Sequence, residues 1–92
     1  MKDVWNAMAD PTRREILSML RKRDMTAGEI ADSFTVSGAT VSHHLKTLRE
    51  AGLIIAEKDK QTITYSLNMT VFQDFLKGVA EVFGAKGEEN EK

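Results

Sequence analysis

Residues 35–53, TVSGATVSHHLKTLREAGL, gather the side chains best able to do chemistry in this chain of 92 residues. Two adjacent histidines, His43 and His44, raise metal ligation first. On a helix, however, consecutive residues project about 100° apart, whereas a chelating pair needs the i, i+4 spacing that brings two imidazoles together. The pair is therefore a poor chelate. The same stretch carries Ser37, Ala39, Thr40, Ser42 and Lys46, small or hydrogen-bonding residues of the kind a recognition helix inserts into the major groove of DNA. Counted at about 100° per residue from Val41, Leu45 and Leu48 share one side and anchor the helix to a core, while Ala39, Ser42, His43, Lys46 and Glu50 point away. Thr40 and Thr47 occupy one flank, with His44 on the same side but closer to the core. His43 thus reads as a DNA contact and His44 as a partly buried helix residue.

Other chemistries find little support. There is no cysteine, which excludes disulfides, thiolate metal sites and thiol redox switches. No pair of suitably spaced carboxylates, nucleophile with a base, or Gly-rich phosphate loop points to an enzyme. Asp74 and Glu81, seven residues apart, read as a solvated face. No cofactor is expected. With 41% hydrophobic and 29% charged residues, the chain has an ordinary globular composition. It has no apolar run long enough to span a bilayer and no signal-peptide core in MKDVWNAMADP, so a cytoplasmic location without membrane insertion is expected.

The net charge of −1 hides an asymmetry. In residues 1–23, Lys2, Arg13, Arg14, Arg21, Lys22 and Arg23 outnumber Asp3, Asp10 and Glu15 by three. In residues 68–92, the acids Asp74, Glu81, Glu88, Glu89 and Glu91 outnumber Lys77, Lys86 and Lys92 by two. DNA need not meet the acidic end.

The elements that must position residues 35–53 follow from caps and periodicity. Val4, Trp5, Met8 and Ala9 predict a short first helix. Asp10 as N-cap before Pro11 starts a second, running to about Lys22 and burying Ile16, Leu17 and Leu20. Thr26-Ala27-Gly28-Glu29 has capping-box spacing and opens a third, to about Ser33 or Phe34, burying Ala27, Ile30, Ala31 and Phe34. Ser37 caps the fourth and Gly52 stops it. Two short helices joined by about three residues make a helix-turn-helix. The period then changes. Leu53 to Ala56 and the alternating Ile63, Tyr65 and Leu67 predict a hairpin, with a charged turn over Glu57 to Gln61 that has no glycine. A last helix, Thr70 to Phe83, repeats Val71, Phe72, Phe75, Leu76, Val79, Val82 and Phe83, a band too wide for one small core. The expected fold is mainly α with a small β-hairpin. It is a winged helix-turn-helix over residues 1–83 that dimerises through its terminal helices, with residues 84–92 as a disordered acidic tail. Val4, Trp5, Met8, Phe72, Phe75, Leu76, Val79 and Phe83 are the expected dimer contacts.

In this order, DPTRREIL, TAGEIA, VSHHLKTLREAGLI and ITYSLN resemble the ArsR/SmtB family of winged-helix repressors over residues 1 to about 83. The run SLN-x-T-V-x-Q-D is similar to the SdpR-type autorepressor branch. The resemblance implies a homodimer that blocks transcription at a palindromic operator. It places the base-reading face on Ala39, Thr40, Ser42 and His43, a phosphate contact at Ser37, and the wing tip at Lys58, Lys60, Gln61 and Thr62. Lys58 and Lys60 suit phosphate attraction better than base readout. Arg13 and Arg14 stay open between phosphate contact and an exposed ion pair. The thiolate site of the metal-sensing members has no counterpart in TAGEIADSF, and the last helix has no histidine.

Three classes of function compete. An autoregulatory DNA-binding repressor leads, released by a protein anti-repressor or by its own concentration. The alternative is a winged-helix protein-interaction module whose main partner is another protein, which a nearly neutral chain permits. An enzyme comes last.

Overall fold

Asp3, Asp10, Thr26, Ser37 and Asn68 each place a side-chain oxygen on a backbone N–H of the first turn that follows, and five helices begin there. They are α1 (Val4–Met8), α2 (Pro11–Lys22), α3 (Ala27–Asp32), α4 (Gly38–Glu50) and α5 (Met69–Phe83). The computed structural model describes residues 3–84. Apart from Gly84, which closes α5 in a left-handed conformation with φ 71°, the expected acidic tail lies outside the described residues.

The capping box at α3 is complete: the Glu29 N–H donates to Thr26 Oγ1 at 3.1 Å and the Thr26 N–H donates to Glu29 Oε1 at 2.9 Å. At the other end of α4, Gly52 has φ 81°. Its N–H reaches the Arg49 carbonyl and the Leu53 N–H reaches the Leu48 carbonyl, both at 3.0 Å. This is a Schellman closure, with the fully buried Leu48 and Leu53 supplying its apolar contact. The helix therefore stops in one way and turns the chain directly into the sheet.

The sheet has one strand more than the expected hairpin. β1 (Met25–Thr26), β2 (Ile54–Asp59) and β3 (Thr62–Leu67) lie in the order β1-β3-β2, antiparallel throughout. Met25 pairs with Tyr65, and Ile54 to Asp59 pair in register with Leu67 to Thr62. The strands run further than expected, and the connection is only Lys60-Gln61. Lys60 takes φ 61°, the left-handed value that a two-residue hairpin demands and glycine usually supplies.

Ala7, Ile16, Leu17, Leu20, Met25, Ile30, Val41, Leu45, Leu48, Ala51, Leu53, Ile54 and Tyr65 form one core. On α3 only Ile30 is buried. Ala27, Ala31 and Phe34, expected inside, are half-buried, because a helix of six residues turns one side fully inward. At five residues α1 is too short to hold itself. Its last carbonyls are instead satisfied by the next helix. Arg13 donates from Nε to Ala7 O at 2.8 Å and from Nη2 to Asn6 O at 3.1 Å, and Arg14 Nη1 donates to Met8 O at 2.8 Å.

No residue of α5 is buried. The radius of gyration is 14.8 Å, against about 12 Å for a compact domain of this length. Val71 and Phe72 touch the core and Phe75 meets Trp5 edge-on at 4.9 Å, while Leu76, Val82 and Phe83 face solvent.

Candidate nucleic-acid interface

The inward side of α4 is Val41, Leu45 and Leu48, all buried as the helical spacing requires, and His44, expected partly buried, is buried beside them. The outward side presents Ser37, Ala39, Thr40, Ser42, His43 and Lys46, every one of them exposed. The division between anchoring and reading residues is thus built into one helix. Its first turn is stiffened by Ser37, whose Oγ accepts from the Thr40 N–H at 3.2 Å and lies 3.0 Å from Thr40 Oγ1. α4 packs against α2, α3 and β2, so the strand leading to the hairpin tip is tied to the same helix. Lys58, Lys60, Gln61 and Thr62 are exposed at that tip. A polar cleft separates Gln61 and Thr62 from Thr26 and Gly28 at the start of α3.

The two histidines diverge as expected from consecutive helical positions, their ring centres 6.1 Å apart with planes inclined by 53°. His43 is exposed. His44 is inserted between two residues of α2: its Nδ1 lies 3.2 Å from Arg13 Nη1 and its Nε2 lies 3.8 Å from Asp10 Oδ2. A guanidinium only donates, so Nδ1 accepts and the ring proton sits on Nε2, toward Asp10. Asp10 is itself the cap of α2, taking the Arg13 N–H at 3.0 Å. Burial acts to raise its pKa. The Arg13 N–H bond, the nearby charges of His44 (when protonated) and Arg13, and the Thr12 N–H outweigh this and hold it below the ordinary 3.8.

The sequence left Arg13 and Arg14 open between phosphate contact and an exposed ion pair, and the structure bears on the second. Neither forms an ion pair among the described residues, and Arg13 commits all three guanidinium nitrogens to protein acceptors on α1 and α4. Nothing in the local pattern announces this, since the partners lie six, seven and thirty-one positions away. Sequence spacing found the surface of α4 but not the brace behind it.

The residues expected at a dimer surface sit together on α1 and α5. Val4, Met8, Phe72, Phe75 and Val79 are half-buried, and Trp5, Leu76 and Phe83 are exposed, Phe83 by 73%. Val4, Trp5, Val71, Asp74, Phe75 and Gly78 line an apolar recess of about 270 Å³ between the two helices. Among the described residues, no group of three histidine, cysteine or carboxylate side chains converges as a metal site would. No helix there is long and apolar enough to cross a membrane.

Residues 10–56, from the cap of α2 to the middle of β2, match the family described as bacterial regulatory protein, arsR family. The chain belongs to the arsR family. The transcriptional repressor SdpR of Bacillus subtilis strain 168 is 50% identical over 76 residues, covering 83% of this chain and 84% of that protein. The transcriptional activator HlyU of Vibrio cholerae is 38% identical over 67 residues, covering 73% of this chain and 62% of that protein. A solved structure described as a possible transcriptional regulator for arsenical resistance superposes with a TM-score of 0.80 at 30% identity, covering 90% of this chain and 85% of its own. As an arsR-family member the chain is a helix-turn-helix transcriptional regulator, not an enzyme, and α3–α4 is its helix-turn-helix.

Proposed function

We propose that this arsR-family protein is a homodimeric repressor that binds a palindromic operator upstream of its own gene, without a metal or thiol sensor. The observation that carries the reading is α4, a helix whose inner side is locked into the core while Ser37, Ala39, Thr40, Ser42, His43 and Lys46 stand exposed. Ala39, Thr40, Ser42 and His43 meet base edges in the major groove, and Lys46 adds to the DNA-binding surface. Ser37 and the wing residues Lys58, Lys60, Gln61 and Thr62 meet the backbone.

Repression rather than activation is supported by the greater likeness to SdpR than to HlyU. A dimer is supported by the apolar residues left in solvent on α1 and α5, which a second copy would cover. Residues 1–83 serve as one DNA-binding and dimerisation domain, followed by the acidic tail. With no cysteine in the chain, release falls to a protein anti-repressor or to falling protein concentration.

The test is fluorescence anisotropy on a duplex from upstream of the gene and on a scrambled duplex across a salt series. Tight, salt-sensitive preference for the upstream duplex is expected. Ser42→Ala with His43→Ala should keep the fold and lower specific affinity by about 1–3 kcal/mol per lost base contact. Equal binding of the wild-type protein to both duplexes would refute autoregulation.

A further inference from the structure

We infer that Arg13, together with His44, is a positioning device that fixes the recognition helix α4 to the N-terminal helix α1 and thereby sets the distance between the two half-sites the dimer reads. The inference rests on the reading of α4 as the DNA-reading helix and α1 as part of the dimer surface.

α1 and α4 pack directly on each other, and one side chain adds directional bonds to both. From α2, Arg13 donates Nε and Nη2 to the terminal carbonyls of α1 and Nη1 to His44 on the inner side of α4. The planar fork of a guanidinium holds these three acceptors in one fixed arrangement, as a lysine ammonium does not. His44 is buried and is also approached by Asp10, so its ring has little freedom to follow any other geometry. The same Asp10 accepts the Arg13 N–H, which closes the group on itself. α1 also carries Val4, Trp5 and Met8, beside the apolar recess it shares with α5. A two-fold dimer reads half-sites at a separation set by how far apart its recognition helices are held. A loose joint between α1 and α4 would let that separation vary, and a charged, three-pronged joint suppresses the variation. Arg13 therefore does not touch DNA, although it lies in the basic N-terminal part of the chain where a phosphate contact would be sought.

Wild-type protein is first used to select its preferred palindrome from a pool of random duplexes. A series is then made with the half-sites moved closer or further apart by one and two base pairs. Arg13→Met should lose about tenfold in affinity for the best duplex, the scale of hydrogen bonds to a charged group. Its preference among spacings should flatten, and the slope of log affinity against log salt should stay that of the wild type. His44→Asn, whose Oδ1 replaces Nδ1 as the acceptor for Arg13, should keep the spacing preference, and His44→Leu should lose it. This pair decides the matter if Arg13→Met does not fold. Circular dichroism and sedimentation are run on every variant. A salt slope lowered by about one per subunit with spacing preference intact would make Arg13 a phosphate contact and overturn the inference. Equal spacing preference in His44→Leu and His44→Asn would overturn it as well. A wild-type protein that selects no palindrome would sink the proposed function and this inference with it. Selection by the wild type followed by unchanged spacing preference in all variants sinks this inference alone.

Discussion

Ser37 holds two roles at one hydroxyl, and they can be separated by substitution. Its Oγ accepts the Thr40 N–H as the cap of α4, and its exposed position suits a DNA phosphate. Ser37→Ala removes both. Loss of a serine cap costs about 1 kcal/mol, which for a domain of this size lowers Tm by about 4–8 °C. Ser37→Asp removes only one role, since aspartate caps as well as serine and its charge is favourable at a helix N-terminus. Thermal stability should then match or exceed that of the wild type. Toward DNA the added carboxylate is repelled. At about 5 Å from a phosphate the repulsion is about 1 kcal/mol in fully aqueous surroundings and about 3 kcal/mol at an effective dielectric of about 20, for each half-site.

The assay pairs a melting curve with anisotropy on the preferred duplex, both at one fixed protein concentration, because dimerisation makes Tm depend on concentration. Alanine should lower both stability and affinity, and aspartate should lower affinity alone. A Ser37→Asp protein that binds as tightly as wild type would refute the placement of phosphate beside the start of α4. An unchanged Tm in Ser37→Ala would refute the energetic importance of the cap.

Leu76→Glu should yield a folded monomer by sedimentation, because Leu76 is 47% exposed in the single chain and its substitution disturbs no core contact. An unchanged dimer would move the interface elsewhere. Lys60→Gly should relieve about 1–2 kcal/mol of left-handed strain, of which the greater freedom of glycine in the unfolded chain returns about 0.4–1 kcal/mol. It should also lower the DNA salt slope by about 0.9 per subunit for the lost phosphate contact, and a slope that does not change would take Lys60 off the backbone. Asp10→Asn keeps the cap but removes a carboxylate whose folded pKa lies below 3.8. Such a group adds stability that is present above its unfolded pKa and lost as pH falls through the lower folded value. The wild type should therefore be the more stable protein at neutral pH, with the difference closing below pH 3.8 in urea titrations. A difference independent of pH would show that the charge of Asp10 contributes nothing.

What the sequence announced and what it concealed divide along the range of the interactions involved. Caps and stops act within a few residues, so Asp10, Thr26 with Glu29, Ser37 and Gly52 could be read directly, and the helices they bound appeared where expected. The two sides of α4 followed from one angular period. β1 could not be read, because two residues carry no alternation and Thr26 is claimed at once by a strand and a helix cap. Its existence depends on Tyr65 and Thr64 arriving opposite it. The tight turn at Lys60-Gln61 was hidden for a different reason: a lysine accepts the left-handed conformation because the paired strands on either side enforce it. Arg13, left open between phosphate contact and an ion pair, bonds three acceptors on α1 and α4 that lie far along the chain.

These cases bear on how the helix-turn-helix is held for DNA. A recognition helix must keep its outer side free, which leaves only its inner side for attachment, and apolar packing by Val41, Leu45 and Leu48 permits small sliding and rolling at little cost. Directional bonds resist both motions. The Ser37 cap and the Schellman closure at Gly52 fix the ends of α4 itself, and His44, held by Arg13 and approached by Asp10, supplies the directional contacts to α2. Among the described residues His44 is the polar side chain classed as buried, and its bonds run across to α2. A leucine at position 44 would satisfy the core, yet it would leave α4 attached to α2 and α1 by contacts that do not specify an angle.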